Sequence, residues 1–287
     1  MHVVLGATGH VGAAVADALL DRGLPVTVVT RDRRRALPFT QRGAAVAELD
    51  LRDVDGLRRL LAGARRAFLL NPPADPTGDP VADERRTARA IVQAVSGAAL
   101  EKVVVQSTYG ARPGEAIGDL GVLHELEEAI AALRVPASVV RGAYFMSNWD
   151  ASLDDARERG RVEGFLPTDL RLPMVAPRDL GVVAARLLLD EGHRGVLHVE
   201  GPARYTPADV ARAFAAALGR EVTASAIPRA RWRETMLAVG FSPAAADSFA
   251  NMTAVTVDEP WEPPAPPERG PTSLEDHVRA LFAGRSG

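Results

Sequence analysis

Three glycines near the start of the chain, in Gly6-Ala7-Thr8-Gly9-His10-Val11-Gly12, restrict what it can fold into more than any other feature. An apolar run, Val3–Leu5, leads into them, and Val11, Val15, Ala18 and Leu19 follow at helical spacing, so the motif sits where a strand gives way to a helix. In that setting each glycine has a steric task. Gly6 permits a tight turn, Gly9 lets the backbone approach a bound group, and Gly12 allows close helix packing. The helix start then offers backbone amides and the positive end of its dipole, which together favour a diphosphate. Without the flanking strand and helix the same string would be an ordinary turn.

Short apolar, β-branched runs recur at Val26–Thr30, Ala44–Leu49, Ala67–Leu70, Val103–Val105 and Ala137–Val140, with the length of buried parallel strands. Helical stripes lie between them, among them Ile91, Val92 and Val95, then Leu123, Leu126, Ile130 and Leu133. The alternation predicts an α/β fold, a doubly wound parallel sheet of the Rossmann type with helices on both faces. Residues 1–142 are expected to form this domain, and residues 143–287 a smaller mixed α/β substrate lobe, with 178–200 returning to the main sheet. Around Gly160–Pro177 the sequence reads as loop, and Asp179 reads as the N-cap of the next helix. A strand at Val196–Glu200, a helix from Thr206 with Pro207 first, a strand at Glu221–Ile227 and helices near Arg231–Val239 and Pro243–Met252 follow. The proline-rich Glu259–Pro271 predicts an extended connector, and Thr272–Phe282 an amphipathic terminal helix.

The tip of the second strand carries the cofactor preference. A dinucleotide site selective for NAD places a carboxylate there, about twenty residues beyond the glycines, to hold the ribose 2′-hydroxyl. Here the tip is Thr30-Arg31, with Arg33, Arg34 and Arg35 close behind. Guanidinium groups suit a 2′-phosphate, so NADP(H) is preferred over NAD(H). Asp32 dilutes that signal, and a solvated basic loop is the plain alternative. Gly6, Thr8, Gly9, His10, Val11 and Gly12 are the expected diphosphate site, and Asp50 and Leu51, after the third strand, should flank the adenine.

Composition excludes several other chemistries. With no cysteine, disulfides, thiolate catalysis and cysteine-bound metals are ruled out, and no metal site is expected. A formal net charge of -3 leaves no basic excess to bind the phosphates of DNA or RNA directly. No long apolar stretch or basic leader is present, which predicts a chain that is neither membrane-bound nor exported but cytoplasmic, as monomer or homodimer. Lys102 is the only lysine, so lysine chemistry has a single candidate position.

The glycine pattern, Val29-Thr30-Arg31, Leu49-Asp50-Leu51-Arg52-Asp53 and Arg141-Gly142-Ala143-Tyr144-Phe145-Met146-Ser147-Asn148 together resemble the NmrA-like branch of atypical short-chain dehydrogenases. Pro177-Arg178-Asp179-Leu180, Tyr205-Thr206-Pro207-Ala208-Asp209-Val210 and Pro271-Thr272-Ser273-Leu274-Glu275-Asp276 extend the likeness over nearly the whole chain. The resemblance implies a nicotinamide at the carboxyl ends of the strands with substrate between the lobes. Asn71, after the fourth strand, and Ser107, after the fifth, would then line its ribose and nicotinamide, with Tyr144 also on the cofactor. It further implies an NADPH-dependent oxidoreductase passing hydride to a small conjugated substrate of quinone, azo, enone or imine type.

One departure bears on mechanism. The Tyr-x-x-x-Lys dyad of ordinary short-chain dehydrogenases is absent, because Tyr109, Tyr144 and Tyr205 are followed four positions later by Pro113, Asn148 and Asp209. Glu128 stands where many NmrA-like proteins have a lysine. His124 and Glu128, four apart on one helix, could form an acid pair with His124 as proton donor, or only a helix-surface contact. Tyr109 is the second candidate acid and Tyr144 the third. A conjugated acceptor can instead draw its proton from water, with Phe145, Met146, Asn148, Trp149, Trp232, Met236 and Phe249 either walling the pocket or filling the core. The lost dyad also allows a different class of function, an NADP(H)-binding redox sensor that acts through a protein partner without turnover.

Overall fold

Valine-rich runs that bury both faces become one large parallel sheet, seen in a computed structural model that describes residues 1–284. In chain order the elements are β1 (His2–Val4), α1 (His10–Leu20), β2 (Val26–Thr30), α2 (Leu37–Thr40), β3 (Ala45–Glu48), α3 (Val54–Ala62), β4 (Arg66–Leu69), α4 (Pro80–Ser96), β5 (Lys102–Thr108), α5 (Asp119–Ala131) and β6 (Ala137–Gly142). Then come β7 (Tyr144–Phe145), α6 (Leu153–Arg159), β8 (Arg161–Gly164), β9 (Leu172–Val175), α7 (Pro177–Leu189), β10 (Gly195–Glu200), β11 (Arg204–Tyr205), α8 (Pro207–Leu218), β12 (Thr223–Ala226), α9 (Trp232–Ala238), α10 (Pro243–Asp258), β13 (Glu268–Arg269) and α11 (Leu274–Gly284).

The large sheet has the order β13-β10-β6-β5-β4-β1-β2-β3. Strand order reverses at β1, so a crevice opens beyond the carboxyl ends of β1 and β4, where ligands bind in doubly wound sheets. Helices α1 and α7 cover one face through a core that includes Val15, Leu19, Val104, Leu180 and Leu187. Helices α3, α4 and α5 cover the other, through Leu57, Leu61, Ile91, Leu126 and Ile130. This is the doubly wound α/β class that the alternation predicts. A third core, built on Met146, Trp149, Met174, Phe214 and Leu274, underlies two small sheets ordered β11-β9-β7 and β12-β8.

Two local expectations need correction, and a third gains a detail. Asp179 is not a cap: α7 begins two residues earlier, with Pro177 in its first turn and Ala176 as N-cap, because proline there is preset for the helix and lacks only an amide that would have no partner. The Asp179 carboxylate is turned instead to the connector, accepting from the Thr272 amide and hydroxyl, both at 2.8 Å. The connector, extended as expected, is also anchored, since Glu268–Arg269 pair in parallel with Val199–Glu200 as the last strand of the large sheet. Finally, Gly160–Pro177 is not all loop but contains β8 and β9.

Lys102 opens β5 at the edge of the sheet opposite the glycine turn. It is 2 % exposed, and its ammonium donates to the carbonyls of Asp190, at 3.2 Å, and Gly192, just past the end of α7. A cation at a helix carboxyl end satisfies carbonyls that the helix leaves bare. Lysine chemistry therefore has no position at the crevice. Among the described residues no helix is long and apolar enough to cross a membrane.

Candidate active site

Gly6 adopts φ +65°, a left-handed conformation, and a Cβ there would lie 2.8 Å from the Leu70 side chain. Gly12 is excluded from substitution more severely, because a Cβ would stand 2.2 Å from the Gly6 carbonyl oxygen. At Gly9 the nearest protein atom would be 3.5 Å away, so that flank is kept bare by nothing inside the chain. Gly9 is also the N-cap of α1, and no side chain caps the helix. The amides at the start of α1 therefore face the crevice. Val11 sends its side chain into the core, while His10 is exposed and, with Arg178, Thr272 and His277, lines a cleft of about 420 Å³ between the starts of α1, α7 and α11.

At the tip of β2 the acid and the bases sort themselves. Asp32 accepts from the Arg34 backbone amide and pairs with the Arg34 guanidinium at 3.0 Å, and that hydrogen bond holds its carboxyl below the usual range. Arg35 reaches across to donate to the Thr8 carbonyl at 3.0 Å, laying the basic segment over the glycine loop. Arg31 is exposed and without a partner among the described residues. Asp50 and Leu51 lie beside this tip, since the Leu49 amide donates to the Thr30 carbonyl; the Asp50 carboxylate closes a turn onto the Arg52 amide.

Farther along the carboxyl edge, Asn71 donates to the Glu84 carbonyl at 3.2 Å, but its buried Oδ1 has no partner. Ser107 is 1 % exposed and its hydroxyl is also unpartnered. Unsatisfied polar atoms are rare in protein interiors. Tyr144 is bonded to Asn148, and burial pushes its phenol pKa up.

The candidate acids separate. Glu128 is exposed, and among the described residues no hydrogen bond joins it to His124, so the pair read from spacing is not formed. The buried stripe of α5 centres on Leu126 and Ile130, and a residue two positions past Leu126 is turned about 200° away. Glu127 takes the inner place, with both carboxylate oxygens bonded to Arg141 of β6 at 2.9 and 2.6 Å. His124, two positions before Leu126, is half-buried with Nδ1 unpartnered. Tyr109 is occupied elsewhere: its hydroxyl donates to Glu200 at 3.3 Å and its ring packs edge-on against His198 and Trp261. Burial, then the Glu200 charge, raise its pKa, the opposite of what a proton-donating tyrosine needs.

Relatives can be set beside this geometry. A model of the NmrA-like family matches residues 2–263. The chain belongs to the NmrA-like family. An NAD(P)H azoreductase from Xenophilus azovorans is 27 % identical over 89 % of this NmrA-like chain and 87 % of its own. A (4-alkanoyl-5-oxo-2,5-dihydrofuran-3-yl)methyl phosphate reductase from Streptomyces griseus is 32 % identical over 77 % of this chain and 74 % of its own. Among solved structures, an NADPH-dependent quinone oxidoreductase from Escherichia coli, complexed with NADPH, superposes with a TM-score of 0.78 at 21 % identity over 98 % of this chain and all of its own.

Sequence reasoning missed the strap that lies over the carboxyl ends of β5 and β10 in this NmrA-like chain. Buried Glu200 pairs with Arg204 at 3.1 Å and Arg269 at 3.2 Å, and Arg204 also holds Glu262, so charges fasten the connector over β5 and β10. Trp261 stacks there on His198 at 4.8 Å. Helix α10 reaches the opposite side, with Met252 and Ser248 against Gly118. An acid ending a strand, four residues before an arginine, was the available signal for Glu200. Nothing local marked Trp261.

Proposed function

We infer that this chain is an NADPH-dependent reductase that passes hydride to a small conjugated acceptor of quinone, azo, enone or imine type. The observation that carries the reading is the open bed of α1 amides, bordered by glycines that cannot take a Cβ and by an unpaired Arg31 at the β2 tip. That set fits a dinucleotide diphosphate with a 2′-phosphate at one end. The unpartnered Asn71 Oδ1 and Ser107 Oγ supply an acceptor and a hydroxyl for the ribose and carboxamide at the other. Family relatives named as an NAD(P)H azoreductase and as a (4-alkanoyl-5-oxo-2,5-dihydrofuran-3-yl)methyl phosphate reductase support it.

The cofactor, when bound, supplies the hydride. Gly6 to Gly12 anchor the diphosphate, Arg31 selects the phosphorylated ribose, and Asn71 and Ser107 fix the ring face. Helix α10 and the strap around Trp261 keep water off the acceptor. A proton must balance each hydride delivered. We assign that proton to His124, whose half-buried ring keeps Nδ1 free, while Glu127 and Arg141 are committed to each other. Tyr109 stays protonated on Glu200 and braces the strap.

A second reading has one observation in its favour. Lys102 is committed to α7 at the far edge and no tyrosine is tuned as an acid, which suits a sensor of the NADP(H) pool acting through a protein partner. The deciding experiment measures binding of NADPH, NADP and NADH, then follows nicotinamide absorbance with quinones, azo dyes, enones and imines. Turnover supports the reductase. Binding of both redox forms without consumption across the panel supports the sensor.

A further inference from the structure

The strap between α10 and β13 contains Pro260, Pro263, Pro264, Pro266 and Pro267, and among the described residues none of 260–267 takes part in a backbone-to-backbone hydrogen bond. A run so rich in proline is stiff and extended, so it moves as one piece about its two ends. Side chains fasten it. Arg112 pairs with Glu259 at 2.5 Å, and Arg204 with Glu262 at 2.5 Å. Between these pairs the Trp261 ring rests on His198 at 4.8 Å and on Tyr109 at 5.2 Å, with the Arg141 guanidinium 6.0 Å from its centre.

Both carboxylates belong to the strap and are the more exposed partners, at 62 % and 63 % against 29 % for each arginine. Their release leaves no buried charge alone. Arg204 keeps Glu200, which is fully buried and is also held by Tyr109 at 3.3 Å and Arg269 at 3.2 Å. Arg112 keeps the Gly110 carbonyl at 3.2 Å. An ion pair is hard to open when opening strands a buried charge, and here the freed glutamates pass straight into water. Exposed pairs of this kind are weak and are screened by salt.

We propose that residues 259–267 are a lid, latched by Arg112–Glu259 and Arg204–Glu262, that swings off Tyr109 and His198 while Glu200 and its other partners stay in place. Trp261 is the plug of the closed state. Opening uncovers the carboxyl ends of β5 and β10, where Tyr109 stands two residues past Ser107. With Ser107 on the nicotinamide, the open lid widens the way in for the acceptor. That last step rests on the reductase reading, whereas the motion of the strap does not.

Tryptophan fluorescence tests the motion with no cofactor present, because Trp149 and Trp232 are only 5 % and 4 % exposed and Trp261 is the accessible one of the three. Acrylamide quenching of the natural chain should rise about twofold between about 0.05 M and about 0.5 M sodium chloride, as the latches are screened. The double variant Glu259→Gln, Glu262→Gln should start about twofold higher at low salt and rise no further, with circular dichroism reporting the fold. Trp261→Phe should abolish the salt response. Quenching of the natural chain that ignores salt, a double variant that matches the natural chain at low salt, or a salt response that survives in Trp261→Phe overturns the lid. If the double variant does not fold, the natural chain and Trp261→Phe decide alone. Access is read separately: in the double variant a bulky azo dye should gain about threefold in kcat/KM over a small quinone. An unchanged ratio overturns the gating role. Failure to consume NADPH with any acceptor, while quenching still follows salt, overturns the reductase reading and not the lid.

Discussion

The two edges of the large sheet differ in how the ends of α7 and α1 are finished. At the amino edge, Lys102 and Arg66 both donate to carbonyls at the end of α7, Arg66 reaching Leu188 at 2.8 Å and Leu189 at 2.7 Å. At the carboxyl edge, the start of α1 has no side-chain cap, and Asn71 and Ser107 each keep a buried polar atom without a partner. One strand, β5, begins with the satisfied lysine and closes near the unsatisfied serine. Asp53 and Asp79 cap α3 and α4 at that same carboxyl edge, so the bare start of α1 differs from these two neighbours and leaves its amides open to a bound anion.

The contrast can be broken in order of expected effect. Gly12→Ala should cut NADPH affinity at least about a hundredfold, since its Cβ collides with the Gly6 carbonyl and distorts the amide bed; equilibrium binding checks it. Next, His124→Ala should lower turnover about a hundredfold with cofactor affinity unchanged, the size expected for loss of a general acid. Unchanged rates would hand the proton to water. At the other edge, Lys102→Met should cost about 2 kcal/mol of stability in denaturant unfolding and leave NADPH binding alone. A loss of binding there would mean that the edges are not independent. Arg31→Ala should weaken NADPH about tenfold and NADH less than twofold, because it removes one charge-assisted contact to phosphate. Smallest of all, Glu128→Gln should change rate and affinity by less than about twofold, as befits an exposed side chain.

The edge that binds was easier to read in the sequence than the edge that stabilises, for a physical reason. Gly6 to Gly12 and the valine runs report short-range sterics and two-residue periodicity, which need no tertiary context. The phase of α5 does. Spacing alone puts Glu128 beside His124, but docking on β5 and β6 turns the helix so that Glu127 meets Arg141. Asp179 shows the same limit, having the composition of a cap while its carboxylate is bonded to Thr272, far along the chain. Arg31 was legible as a basic tip, yet its lack of a partner follows only from Arg34 taking Asp32 and Arg35 taking Thr8.

The small strand β13 has a consequence for how the chain is made. Its two residues cover the outer side of β10, but they leave the ribosome well after β10 does. At roughly 5–20 residues per second that border lies bare for several seconds, a template for any neighbouring nascent chain. Crowding on the messenger is then a condition that should favour pairing between neighbouring copies at this border.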